Sequence, residues 1–182
     1  MLRVSSHHLV YGSLRDYLTG EELTDTDDER NRQQLARMMV EEKGYAKEDL
    51  EPRRFIETLF SSQFVRSTIE LTVSLEGGKR FLIIRYAPGS LVTRERSIIA
   101  AARVLENDYQ IPLAVITNGR DAELLDTATG QVLATGMEAI PDCRQARDLL
   151  PTLVFRERME GKKRERELRI LNTFDVEICC RR

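Results

Sequence analysis

The chain has 182 residues, 41% of them hydrophobic, and a formal net charge of -2. That length suffices for one domain with a full core, and the acidic balance argues against a protein that grips nucleic acid through a strongly basic surface. No apolar run approaches the roughly 20 residues of a membrane-crossing helix, and the N-terminus has no signal-peptide h-region, so a cytoplasmic protein with no membrane partner is expected.

The charge is uneven. Glu21, Glu22, Asp25, Asp27, Asp28 and Glu29 form an acidic run without a base, while Lys162 to Arg169 holds five bases and two acids, and the chain ends in Arg181-Arg182. The cysteines, Cys143, Cys179 and Cys180, are odd in number and irregular in spacing. That excludes a disulfide framework or a zinc site with paired cysteines, and favours reduced thiols. His7-His8 reads as a solvated dipeptide rather than a ligand pair.

In chain order, residues 1 to 26 read as an irregular lead-in with a short helical or strand piece near Leu14 to Leu18. Asp27 or Asp28 is expected to cap a helix running to Lys43, with Leu35, Met38 and Met39 on one side and Gly44 as its stop. Residues 45 to 52 form a connector. Arg54 to Phe60 fits a strand or a short helix, since no period separates the two.

Phe64 to Leu75 alternates cleanly: Val65, Ile69, Leu71, Val73 and Leu75 against Arg66, Thr68, Glu70, Thr72 and Ser74. A period of two predicts a half-buried strand. Gly77-Gly78 offers a tight turn, where positive φ is cheap for glycine. Its partner, Arg80 to Ala87, is apolar on both faces and therefore central in its sheet. A two-residue loop makes facing positions sum to 155, which sets Thr68 opposite Ala87 and Glu70 opposite Arg85. A cross-strand Glu70–Arg85 ion pair is expected.

Thr93 to Asn107 reads as a helix, Leu113 to Thr117 as a buried strand parallel to 80–87, and Ala122 to Leu125 with Gln131 to Ala134 as a hairpin. Pro141 is expected to open a helix to Leu150. The charged stretch Phe155 to Leu171, broken by Gly161, reads as an exposed helical arm, and Phe174 to Cys180 as a last strand. The order strand, strand, helix, strand is an α/β arrangement. Residues 1–140 would form one domain and 141–182 a helical extension.

Four segments carry a family resemblance: Asp16-Tyr17-Leu18-Thr19-Gly20-Glu21, Glu29-Arg30-Asn31-Arg32-Gln33, Glu42-Lys43-Gly44-Tyr45 and Leu113-Ala114-Val115-Ile116-Thr117-Asn118-Gly119. In that order and spacing, the chain resembles the N-terminal nuclease domain of the type I restriction enzyme R subunit, especially its short stand-alone relatives, over about residues 11 to 135. The resemblance implies a restriction-endonuclease-like mixed sheet flanked by helices, of the PD-(D/E)xK type. It also implies a metal-binding Asp in the first hairpin strand and Glu-x-Lys in the second. Here those positions hold Thr68, Arg85 and Ala87, while a helix-one glutamate is kept as Glu29. The family's Gln-x3-Tyr motif has no counterpart among Ser97 to Leu105.

The consequence is severe. Magnesium wants hard carboxylate oxygens, and a guanidinium about 4 Å from it is repelled by several kcal/mol at an effective dielectric near 20. Three readings stand. The first is a non-catalytic protein, without cofactor, that binds DNA or a restriction-type protein partner, with Arg85 on a phosphate helped by Arg66, Lys79, Lys162, Lys163 and Arg164. The second is a Mg2+ nuclease with a migrated site built from Glu29 and Glu70. The third is a structural, self-associating module.

Overall fold

A computed structural model describes residues 10–175 of the chain. It opens with a hairpin, β1 (Val10–Arg15) and β2 (Glu22–Thr26), paired antiparallel. The short piece expected near Leu14 to Leu18 is thus a strand as far as Arg15, while the rest of the irregular lead-in, within the described residues, is replaced by a second strand and its turn. Their residues are mostly exposed, so no apolar alternation marks them in the sequence. Asp16 shapes the turn: its carboxylate accepts from Leu18 N at 2.8 Å and Thr19 N at 2.9 Å.

Helix α1 (Asp27–Arg37) follows without a break. Its cap is Thr26, not Asp27 or Asp28. Thr26 ends β2 with extended backbone, and its Oγ1 accepts from Glu29 N at 3.2 Å. The aspartates instead fill the first turn, where the helix dipole favours them. The helix widens into a π-turn over Met38–Glu42 and stops at Gly44, whose φ is 74°.

The ambiguous segment is a strand. β3 (Leu50–Phe60) and β4 (Gln63–Val73) form a long antiparallel ribbon, turned at Ser61 and Ser62 with φ of 49° and 64°. β4 then meets β5 (Leu82–Tyr86) in the predicted register, with Leu71 on Ile84, Thr72 on Ile83 and Val73 on Leu82. The turn itself sits one residue earlier than Gly77-Gly78. Glu76 and Gly77 take φ of 54° and 69°, and Gly78 N donates to Leu75 O at 2.9 Å.

Helix α2 (Val92–Val104) carries the chain over to β6 (Leu113–Thr117), which lies parallel to β5. β7 (Ala122–Asp126) and β8 (Val132–Thr135) complete a six-stranded mixed sheet in the order β3-β4-β5-β6-β7-β8. β5 is central, as its two apolar faces require: Ile83 joins the core under α2, whereas Leu82 and Ile84 join the core under α1. The fold is a mixed α/β sheet flanked by helices.

Two C-terminal expectations change. Helix α3 (Cys143–Leu149) is opened by an Asp142 capping box with Gln145 rather than by Pro141. Helix α4 begins only at Gly161 and runs to Phe174 (Gly161–Phe174), since residues 155–160 are not helical: Glu157 bridges to Tyr109 and Glu160 has extended backbone. Nor is α4 an exposed arm. Leu171 is fully buried in the α2 core, with Leu168 and Ile170 against it, and Glu167 is wholly enclosed. Its few apolar residues are spaced to one side, which the surrounding charges mask in the sequence. Phe174 closes this helix and Asp175 caps it in a bend, so neither begins a strand; residues 176–180 of the expected last strand, Cys179 and Cys180 among them, lie outside the described residues, as do His7 and His8.

Candidate functional site

The ladder between β4 and β5 ends at Leu71 and Ile84. Beyond it the two strands part, and the candidate site lies in that fork. The parting has a local cause. Pro52 pairs with Leu71 and Arg54 with Ile69, leaving Arg53 and Glu70 out of the ladder, and Arg53 has φ of 57°. Strict alternation would keep Ile69 and Leu71 on one face. Instead Ile69 joins the α2 core and Leu71 the α1 core, so β4 exchanges faces at Glu70.

That exchange breaks the expected Glu70–Arg85 ion pair. Glu70 Oε2 accepts from Tyr86 N at 3.0 Å, filling the gap in the sheet where a ladder bond would lie. Burial pushes its carboxyl above the usual carboxylate range, against the pull of Arg85, the Tyr86 N–H and Arg32. Arg85 turns to the α2 side. Its Nη1 donates to Ser97 Oγ at 2.8 Å and to Asp175 Oδ2 at 3.0 Å, while Ser97 Oγ donates to Asp175 Oδ1 at 2.9 Å. Thr68 pairs with Phe55 rather than Ala87, and Ala87 is buried in the α2 core, donating its N–H to Thr117 O at 2.9 Å.

Glu29 lies in a second cluster at the start of α1. Arg32 binds one of its oxygens, Gln33 Nε2 donates to the other at 2.8 Å, and Arg53 Nη1 stands 3.8 Å away. Arg53 also binds Asp16, and reaches Glu21 at 3.0 Å. Burial alone would raise the Asp16 carboxyl, but Thr19 N–H, Arg53 and Leu18 N–H together hold it below its usual value. Arg32 is buried, and its Nε has no hydrogen-bond partner. Its charge also acts on Glu70, so it links the two clusters. Among the described residues, no group of three or more His, Cys, Asp or Glu side chains could hold a metal ion.

The six nucleic-acid candidates do not converge. Arg66 is exposed on the ribbon and paired with Glu57 at 2.5 Å. Arg85 is in the fork with a side chain 15% exposed. Lys79 lies over the Tyr109 ring at 4.9 Å. Lys162 and Lys163 are exposed in the first turn of α4, and Arg164 donates to Val104 O at 3.2 Å. The α4 axis from Lys162 to Asp175 spans roughly 20 Å at 1.5 Å per residue, so the basic end of α4 and Arg85 are separate places.

Asp16, Arg32, Gln33, Arg53, Ser97 and Asp175 all carry this site, and residue-type reasoning did not single them out. The signal for three of them was present. Asp16 belongs to one segment of the resemblance, Arg32 and Gln33 to another, and the structure joins these segments through Gln33 Nε2 and Asp16 at 3.3 Å. The third segment is tied down likewise, by Lys43 Nζ on Ile140 O at 2.8 Å and Tyr45 Oη on Pro141 O at 3.0 Å.

The family model described as Type I restriction enzyme R protein N terminus (HSDR_N) matches residues 27–141, more than half of the chain. The chain belongs to that family. No curated protein and no solved structure matches it. The matched stretch runs from the first residue of α1 through the six-stranded sheet to Pro141. It includes Glu29, Thr68, Glu70, Arg85, Ala87 and Ser97, and leaves β1, β2, α3 and α4 outside. Asp175, the partner of Arg85, is thus supplied from beyond the family's matched region.

Proposed function

We propose that this restriction-type domain works without phosphodiester chemistry, as a DNA-binding component of a restriction system in the cytoplasm. The observation that carries the reading is the Arg85 guanidinium, at the position that the resemblance assigns to the family's metal-binding glutamate. It is held there by Asp175 and Ser97. The nearby carboxylates are already engaged, Glu29 by Arg32 and Gln33, and Glu70 by Tyr86 N. Among the described residues no cluster of three or more His, Cys, Asp or Glu side chains gathers here, and Arg85 sets a positive charge beside Glu70, so no cofactor is part of this reading. Mg2+ belongs only to a nuclease migrated onto Glu29 and Glu70.

DNA cleavage assays with Mg2+ and Mn2+, beside DNA titrations at several salt concentrations, test the proposal. The expected result is no cleavage, with binding that weakens as salt rises. Metal-dependent cleavage lost in Glu29→Ala or Glu70→Ala would replace this reading with the migrated nuclease.

One feature favours a protein partner as a second reading. Phe55, Leu59 and Phe64 share one face of the β3–β4 ribbon, since Leu59 pairs with Phe64 and Phe55 lies four pairs further along, across the Glu57–Arg66 pair. All three are exposed. Apolar side chains grouped on a projecting strand pair suit a protein interface.

A further inference from the structure

Four guanidinium groups line the face beneath α4, one from β5 and three from α2, and α4 supplies an acceptor to each. Arg85 holds Asp175 at 3.0 Å, Arg94 holds Phe174 O at 2.8 Å, Arg96 holds Glu167 at 2.8 Å, and Arg103 holds Glu167 at 3.2 Å. Among the described residues, two carboxylates answer these four cations. The helix is also anchored by Leu168, Ile170 and Leu171 at the core, by Asn172 Nδ2 on Thr58 Oγ1 and Gln63 O, both at 3.0 Å, and by Arg164 on Val104 O at 3.2 Å.

We propose that α4 is an internal stand-in for a nucleic-acid backbone: its oxygens occupy the arginines that phosphates take when the helix swings aside. This deepens the DNA-binding reading and rests on it. A phosphate oxygen and a carboxylate oxygen are interchangeable acceptors for a guanidinium fork. Arg85, only 15% exposed in its side chain, cannot meet a phosphate while Asp175 is in place. The covered state and the DNA-bound state therefore compete for one set of donors. Weakening the α4 contacts raises the fraction of chain competent to bind.

The test is DNA affinity of the full chain and of Asp175→Asn, with Asp148→Asn as a control. Asp148 is exposed on α3, on the other side of the sheet, and gives the same charge change. With a duplex of about 20 base pairs, Asp175→Asn should bind roughly fivefold tighter, with a salt slope steeper by about one, while Asp148→Asn matches the unsubstituted chain. Hydrogen exchange in residues 161–175 should quicken when DNA binds. Binding by the unsubstituted chain with no gain in Asp175→Asn, or α4 staying protected in the complex, overturns the stand-in role alone. A tightening shared by Asp148→Asn reduces the effect to net charge and also overturns it. No binding by any chain at low salt overturns the DNA-binding reading and this inference with it.

Discussion

Arg85 and Asp175 meet at 3.0 Å although 90 positions separate them in the chain. Their side chains are 15% and 5% exposed, so this is a pair largely withdrawn from water. Ser97 completes it, accepting from Arg85 and donating to Asp175. Removing one partner leaves the other's charge buried and unanswered. Arg85→Ala and Asp175→Ala should each lower stability by about 3 kcal/mol. Denaturant melts of both single variants and the double variant give the coupling. Additive losses, within about 0.5 kcal/mol, would refute the pairing.

Glu70 predicts an unusual pH dependence. Its folded-state carboxyl titrates above its unfolded value, so the native state binds the extra proton. Its contribution is complete below the unfolded pKa and is lost as pH rises through the folded one. Stability should therefore decline on this flank, and Glu70→Gln should flatten the decline. Urea unfolding across a pH series reads it. An unaltered profile in Glu70→Gln counts against the assignment.

Asp16 has the opposite sign. Its folded pKa is depressed, with Thr19 N–H, Arg53 and Leu18 N–H outweighing burial. Its stabilisation is present above the unfolded pKa and disappears as pH falls through the folded value. Asp16→Asn should lose stability near neutral pH and show a weaker acid-side dependence than the parent chain. The same urea series, carried to low pH, measures both.

Glu167 is the most enclosed charge on α4, with Arg96 at 2.8 Å and Arg103 at 3.2 Å. Glu167→Ala should cost roughly 3–5 kcal/mol, the range for breaking a buried ion pair. Exposed pairs provide the contrast. Arg169→Ala, which removes the Glu165 pair on the outer side of the same helix, should cost under about 1 kcal/mol. Comparable losses in both would mean that the buried carboxylate contributes no more than the exposed pair.

The cap of α1 gives a smaller, local expectation. Thr26 Oγ1 takes the Glu29 N–H, so Thr26→Ala should cost about 1 kcal/mol. Circular dichroism melts are sufficient to detect it. A neutral result would show that the acidic first turn holds the helix end without the cap.

The sheet centre was legible because β4 and β5 carry patterns that only one register satisfies. Alternation in β4 and two apolar faces in β5 agree with Leu71 opposite Ile84, although the turn expected to set this register lies one residue earlier, at Glu76 and Gly77. The fork was not legible, because nothing in the residue types announces that Arg53 takes a positive φ and β4 changes faces at Glu70. One such break redirects every side chain beyond it, and the Glu70–Arg85 pair failed for that reason. Exposure hid the β1–β2 hairpin, since its strands bury almost nothing. Length hid the role of α4: no local rule links Asp175 to a strand 90 residues upstream.

The lateness of α4 in the chain also has a kinetic meaning. Its attachments span 64 residues for Arg103 to Glu167 and 114 for Asn172 to Thr58. Closing such loops is entropically slow to be rewarded, so α4 is expected to dock after the ribbon and the parallel strands have assembled, which φ-values near zero along α4 would check. Interactions formed that late govern how quickly the native state is left rather than how quickly it is reached. The helix that covers Arg85 then acts as the brake on unfolding, and substitutions along its inner side shorten the native lifetime while leaving the folding rate nearly untouched.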